Sequence, residues 1–318
     1  MHLKLMPLPR SARAATLAGH GLPSHDSTSS TSPGGGLMPL SALAGRQVII
    51  EEQLDGADAE LAFAAHGSPL LRSQGRPLAG GFGERPFIPL RIWAMAHEQR
   101  LIERLGDRHE LRGTWTYATR RVWYDQLPHY FNEADVLDRA TGLYLSTPRR
   151  QALLAGSPVL SAPVLYAGPM PTHPQLLASL IARPLAKSAD WRLAFETTAR
   201  RESLPVDLGW RRTDRSGRSA GLIVKVEDDE HVLARFTLVR PAPSHETWER
   251  RETRETPEML DGDEAVAMRP LLPNGLAAGA DLFAARPTVT WHDLGLKTLR
   301  SLGALKTLSI ETREQRCC

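Results

Sequence analysis

Lysine is the side chain whose amine, once deprotonated, attacks phosphorus or carbonyl carbon. This 318-residue chain holds only five, at positions 4, 187, 225, 297 and 306, against 34 arginines. Chemistry that needs an amine nucleophile therefore has few candidates. The two cysteines, Cys317 and Cys318, are adjacent at the end of the sequence. Neither a disulfide framework nor a C-x-x-C metal or redox site can be built from them, and a reducing cytoplasm is the simplest setting. A terminal Cys-Cys can be a lipidation signal, but a frayed tail is the plainer reading. His129, in Pro128-His129-Tyr130, has no base or metal partner in view and is read as structural. Asp55-Gly56 follows a β-rich stretch, which by itself signals a hairpin turn.

The elements that must position these residues come from a chain that is 42% hydrophobic with a formal charge of +3. That is enough apolar content for a core, and disorder throughout is excluded. No run approaches the roughly 18 apolar residues of a membrane helix, so a soluble protein is expected. The charge permits an anionic partner without requiring one.

Residues 1–40 are rich in Ser, Pro and Gly, with Asp26 the only acid, and read as a mobile lead-in. A domain over 41–285 and a tail over 286–318 follow. Two extended stretches, 47–52 and 60–63, flank Asp55-Gly56 and predict a hairpin. From Pro86, the positions Ile88, Ile92, Trp93, Met95, Ala96, Ile102 and Leu105 predict a helix with one buried apolar side. Strands are expected at 110–116, 132–138 and 164–167, and helices at 146–154, 175–181 and 190–200. A second hairpin is expected over 221–239, and 244–258 is a solvated charge run. The mix is α+β with mainly antiparallel sheets flanked by helices.

In order along the chain stand Glu51-Glu52-Gln53-Leu54-Asp55-Gly56-Ala57, Arg112-Gly113-Thr114-Trp115, Tyr124-Asp125-Gln126-Leu127-Pro128-His129-Tyr130-Phe131, Asp135-Val136-Leu137-Asp138, Leu145-Ser146-Thr147-Pro148-Arg149-Arg150, Gly221-Leu222-Ile223-Val224-Lys225 and Arg235-Phe236-Thr237-Leu238-Val239-Arg240. Residues 268–274 and Asp281-Leu282-Phe283 complete the pattern. This succession, over about 43–283, resembles the ATP-dependent RNA ligases of the covalent nucleotidyltransferase superfamily, particularly a group of bacterial RNA-ligase-like proteins. The resemblance implies a nucleotidyltransferase-like fold, ATP and Mg²⁺ as cofactors, and RNA as partner. It also implies a three-step reaction: lysine attacks ATP to give lysyl-AMP, the adenylate passes to an RNA 5′-phosphate, and a 3′-hydroxyl displaces AMP. Such chemistry combines a covalent nucleophile with cations that spread phosphoryl charge.

Set against the family's motifs, the implied catalytic positions are Gln53, Asp55, Gly56, Thr114, Ala220, Lys225 and Thr237. The implied cofactor-facing positions are Glu52, Arg76, Ala134, Lys225, Arg235 and Arg240, and no metal ligand is assigned. Several depart from the pattern. Lys-x-Asp-Gly reads Gln53-Leu54-Asp55-Gly56, placing a conjugated amide where the amine belongs. Gly-Glu-Trp reads Gly113-Thr114-Trp115, and Ala-Lys-His reads Ala118-Thr119-Arg120. The adenine-stacking aromatic is Ala134, a loss typically worth on the order of 1 to 3 kcal/mol. Glu-Gly reads Ala220-Gly221, and the fifth motif's lysine is Thr237. The reading is a nucleotide- or RNA-binding protein that cannot form lysyl-AMP. One alternative is a working ligase or nucleotidyltransferase using Lys225 or a metal-held water; another is a protein-interaction platform with unknown partners. Arg76, Arg120, Arg121, Lys225, Arg235 and Arg240 suit a polyanion, although surface arginine is the plain alternative. Trp115, Trp123, Tyr124 and Phe131 are read as core.

Overall fold

The computed structural model describes residues 2–5, 37–239 and 272–300. Arg240, the 244–258 charge run, 268–271 and Cys317-Cys318 lie outside the described residues.

Two sheets face each other. The first contains β1 (His2–Leu5), β2 (Leu37–Pro39), β3 (Gln47–Gln53), β11 (Val164–Pro169), β12 (Gly221–Glu227), β13 (Val232–Val239) and β14 (Leu299–Arg300), in the order β14-β11-β3-β12-β13-β1-β2. The second contains β4 (Ala57–Phe63), β5 (Pro69–Ser73), β6 (Arg76–Pro77), β7 (His109–Trp115), β8 (Phe131–Asp138) and β10 (Leu160–Ser161), in the order β10-β8-β7-β4-β5-β6, with β9 (Leu143–Tyr144) paired to β8. Pairing is antiparallel except β10 with β8 and β11 with β14. The expected α+β class with mainly antiparallel sheets is therefore observed.

The helices are α1 (Ile88–Ala96), α2 (Glu98–Leu105), α3 (Thr147–Leu154), α4 (Pro174–Leu180), α5 (Trp191–Arg201) and α6 (Val206–Arg212). Val48, Ile50, Leu222, Val224 and Phe236 alternate along the first sheet and bury one face with Leu177 of α4. The second sheet packs Leu61, Phe63 and Leu111 with Trp93 of α1 and Leu101 of α2. Phe195 of α5 and Trp123 form a third cluster, in which α6, not expected from the sequence, lies against α5 through Trp210. Trp115, Trp123, Tyr124 and Phe131 are core residues, as expected.

Three expectations are corrected. The stretches either side of Asp55-Gly56 do not form a hairpin, because β3 pairs with β11 and β12 whereas β4 pairs with β5 and β7. The turn is a crossing between sheets. It is held there by Asp55, whose Oδ2 accepts the backbone N–H groups of Arg121 and Val122 at 2.7 and 2.6 Å, and whose own N–H donates to the Tyr124 hydroxyl at 2.8 Å. Secondly, the apolar stripe from Pro86 is not one buried helix side. The helix breaks at His97, and Ile88, Ile92 and Met95 are more than half exposed, while Leu90, Trp93 and Ala94 face the core. Trp93 decides that rotation, since its ring packs on His129 and Phe131 at 5.4 Å. Thirdly, parts of the expected lead-in and tail belong to the fold. Residues 2–5 pair with β13 and 37–39 with 2–5, while Trp291 is buried and donates to the Ser161 carbonyl at 2.9 Å.

Candidate functional site

The sheet-to-sheet crossing puts Gln53 at the end of β3. Antiparallel register sets Gln53 opposite Gly221, Glu51 opposite Ile223 and Ile49 opposite Lys225, and continues to Thr237 and Arg235 on β13. Directly opposed residues share a face, so Glu51, Gln53, Lys225, Arg235 and Thr237 line the side of the first sheet away from the α4 core. The end of this surface is neutral. Gln53 is half-buried, its Oε1 without a donor among the described residues. Ala220 is buried in the apolar core, and Thr114 is half-buried beside Gly56. The two glycines are required by close approach. A Cβ at Gly56 would lie 2.6 Å from the Thr114 methyl and the Trp115 carbonyl, and one at Gly221 would lie 2.7 Å from Gln53 Oε1.

Two to four residues further along the strands, charge is dense and internal. Lys225, fully buried, places Nζ 2.9 Å from Glu51 Oε2 and 3.0 Å from Asp135 Oδ1, and also donates to the Ala134 carbonyl. Arg150, equally buried, donates to Glu133 Oε2 at 2.6 Å and to Glu51 Oε1. Arg235 reaches Asp135 Oδ2 at 2.5 Å, and the Ser161 hydroxyl donates to Glu133 Oε2 at 2.7 Å. Three carboxylates and three cations thus join the first sheet, the second sheet and α3. A bulge makes this possible: Gly113 pairs with Glu133 and Arg112 with Asp135, so Ala134 is the extra residue. Bulged residues drop out of the ladder, and the Ala134 carbonyl is taken up by Lys225 instead.

The electrostatics follow from burial and pairing. Burial pushes Asp135 up, but Arg235, Lys225 and Arg150 outweigh it and hold its pKa below the ordinary value. At Glu133 burial wins over Arg150 and Lys225, and the pKa is raised. Burial works against the charge of Arg150, yet Glu133 and Glu51 more than compensate and strengthen it.

Other sequence-derived positions lie elsewhere. Glu52, next along β3, points to the opposite face and is buried. Burial raises its pKa to about 7, opposed by a backbone hydrogen bond at Leu185 and by Lys187. Lys187 Nζ lies 3.8 Å over the Trp191 ring. Arg76 is exposed on β6, at the edge of the second sheet. Arg120 is exposed and donates to the Gly56 carbonyl at 2.9 Å. His129 is structural: its Nδ1 accepts the Phe131 N–H at 2.9 Å, and burial lowers its pKa to about 4. A cavity of about 360 Å³, lined in part by Ile49, Gln151, Ser161, Trp291 and Thr298, opens at the other end of β3 and does not include Gln53.

Two of the motif strings meet in space. Asn274 accepts the Tyr124 N–H through Oδ1 at 2.8 Å, and its carbonyl accepts the Tyr130 hydroxyl at 2.9 Å. Sequence reasoning missed Glu51, Glu133 and Arg150 as site members, and gave Asp135 no role beyond its place in the motif. Arg150 stands in a motif string, but nothing in its spacing shows that it crosses to β3 and β8.

A model of the RNA ligase family matches residues 46–238, more than half of the chain. The chain belongs to the RNA ligase family. Within this RNA-ligase-family chain the match runs from the start of β3 through β13, spanning every element of the site. Solved structures similar in part include Naegleria gruberi RNA ligase with PPi, at 14% identity and TM-score 0.40, covering 68% of this chain and 54% of that one. A mutant of the same Naegleria gruberi enzyme with ATP and Mn is 15% identical at TM-score 0.39, covering 63% and 51%. The chain spans about half the length of these structures. No curated protein matches it.

Proposed function

We propose that this chain is a member of the RNA ligase family that does not form lysyl-AMP and acts by binding RNA. The observation that carries the reading is the division of the surface between the sheets. The strand end where a nucleophilic amine would stand presents the Gln53 carboxamide, whose nitrogen lone pair is delocalised into its carbonyl. The lysine on the same face, Lys225, is sealed between Glu51 and Asp135. With its Nζ taken up by Glu51, Asp135 and the Ala134 carbonyl and the side chain fully buried, this amine is not presented to a ligand.

ATP and a divalent metal, implied by the family, do not fit the residues present. Thr114 and Ala220 supply no carboxylate, and the nearby Glu51, Glu133 and Asp135 are neutralised by Lys225, Arg150 and Arg235. Among the described residues no group of three or more His, Cys, Asp or Glu side chains is placed to hold a metal. RNA binding is supported by family membership and by exposed Arg76 and Arg120. No helix among the described residues is long and apolar enough to cross a membrane.

The deciding experiment incubates the protein with α-labelled ATP and Mn²⁺, then denatures it and weighs it. No retained AMP is expected. A stable adenylyl adduct would overturn the reading and favour an altered ligase mechanism.

A further inference from the structure

Residues 183–218 carry nine Lys or Arg against five Asp or Glu, a surplus of four in a chain whose whole formal charge is +3. The surplus is displayed rather than paired. Arg183, Arg192, Arg211, Arg212, Arg215 and Arg218 are all exposed, and none forms an ion pair with a described carboxylate. Arg200 and Arg201, by contrast, are paired with Glu196 and Glu202.

Contacts tie three of these arginines to one band, and Arg211 and Arg212 follow Trp210 directly on α6. Arg192 donates to the Arg215 carbonyl at 2.9 Å, and Arg215 donates to the Trp210 carbonyl at 3.2 Å. Arg218 donates to the Ile181 carbonyl at 3.1 Å, two residues from Arg183. Two tryptophans, 5.7 Å apart, brace the band from beneath, with Arg192 lying 4.7 Å over Trp191 and Arg215 5.8 Å over Trp210. Stacking and carbonyl contacts hold the guanidinium groups of Arg192, Arg215 and Arg218 in place, so little of their side-chain entropy remains to be lost on binding. The acids of the unit do not cancel it: Asp214 is buried and accepts the Ser216 N–H at 2.7 Å, and Asp190 and Asp207 sit at the starts of α5 and α6. The band also borders the site, because the Asp214 N–H donates to the Arg121 carbonyl at 2.7 Å while the Arg121 N–H donates to Asp55.

We infer that the α5–α6 unit is the surface on which this protein holds the phosphate backbone of RNA, an inference that rests on the proposed function above. Fixed, unpaired guanidinium forks match phosphate oxygens and release counterions on contact. A bilayer is a poorer fit. The only large apolar side chain strongly exposed on the unit is Leu193, and both tryptophans are turned inward.

The test measures binding of the full chain to a fluorescent single-stranded RNA across a KCl series. Three variants are compared: Arg192→Glu/Arg215→Glu/Arg218→Glu on the band, Arg211→Glu/Arg212→Glu on α6, and Arg100→Glu/Arg104→Glu on α2 as a control matched in charge to the α6 pair. The α6 pair loses at most one weak bond, Arg211 to the Asp207 carbonyl, and tests the surface even if the triple variant fails to fold. Both band variants are expected to bind about tenfold more weakly, with the salt slope shallower by about 0.7 for each phosphate no longer neutralised. The α2 control is expected to bind as the parent does. Folded band variants that bind like the parent, or a control that weakens as much as they do, overturn the surface while leaving RNA binding intact. Tighter binding to phosphatidylserine-rich vesicles than to RNA overturns the choice of ligand. A parent chain that binds no RNA at low salt overturns the proposed function itself.

Discussion

The same face of β3, β12 and β13 has two regions that differ in kind. At the strand end, Gln53 and Gly221 are neutral. Two to four residues inward, Glu51, Lys225 and Arg235 join Asp135, Glu133 and Arg150 in a sealed ionic cluster. The difference shows what charge does in each place. At the strand end a charge would meet a ligand; in the cluster each charge already has protein partners, and its desolvation is offset only while all of them remain. The cluster braces two sheets, and the strand end is left without reactive groups.

Removing a member of the cluster is the hardest test of that contrast. Lys225→Met leaves Glu51 with Arg150 alone and Asp135 with Arg235 alone, three carboxylates against two cations, and is expected to cost about 3–5 kcal/mol in denaturant unfolding. Gln53→Ala, on the same face, should cost no more than about 1 kcal/mol. Equal costs would show that the two regions are not distinct.

The close-approach glycine at the strand end comes next. Gly221→Ala drives a methyl towards Gln53 Oε1 and the neighbouring strand, and a loss of about 1–3 kcal/mol is expected by the same measurement. A neutral outcome would mean that the strand end is looser than its geometry.

Restoring the amine sharpens the comparison in chemistry. Gln53→Lys with ATP and Mn²⁺ is expected to show at most a trace of covalent AMP by intact mass, because Thr114, Ala134, Ala220 and Thr237 are unchanged and the cluster still holds the carboxylates. Substantial adenylation from this one change would show that the other four positions do not prevent adenylyl transfer.

The smallest expected effect is in pH. Glu52 holds its proton to about pH 7 when folded against 4.5 when unfolded, so its contribution to stability falls as pH rises through that window. His129, about 4 folded against 6.5 unfolded, contributes stability that falls as pH drops through its own window. Between about pH 4.5 and 6.5 the two slopes oppose each other. Thermal melts should show Glu52→Gln gaining stability relative to the parent as pH rises, and His129→Gln gaining it as pH falls. Parallel curves for parent and variants would rule out both linkages.

Much of the fold is legible in order and pattern. The β12–β13 hairpin shows alternating apolar residues around Asp228, and α3 is announced by Ser146-Thr147-Pro148. The crossing at Asp55-Gly56 is not legible, because a strand–turn–strand pattern is the same whether the strands pair with each other or with distant partners. The rotation of α1 is equally hidden: Ile88, Ile92 and Met95 compete with Leu90, Trp93 and Ala94 for the core, and only the position of His129 and Phe131 chooses between them.

By itself the amino-acid sequence determined the family, the α+β elements and the identity of the residue at each motif position, because these depend on local order and side-chain chemistry. The tertiary structure decided that Lys225 is paired with Glu51 and Asp135, and that Arg150 belongs beside Glu51. Both depend on contacts between segments 99 to 174 residues apart, and such contacts exist only once two sheets and a helix have closed around the charges.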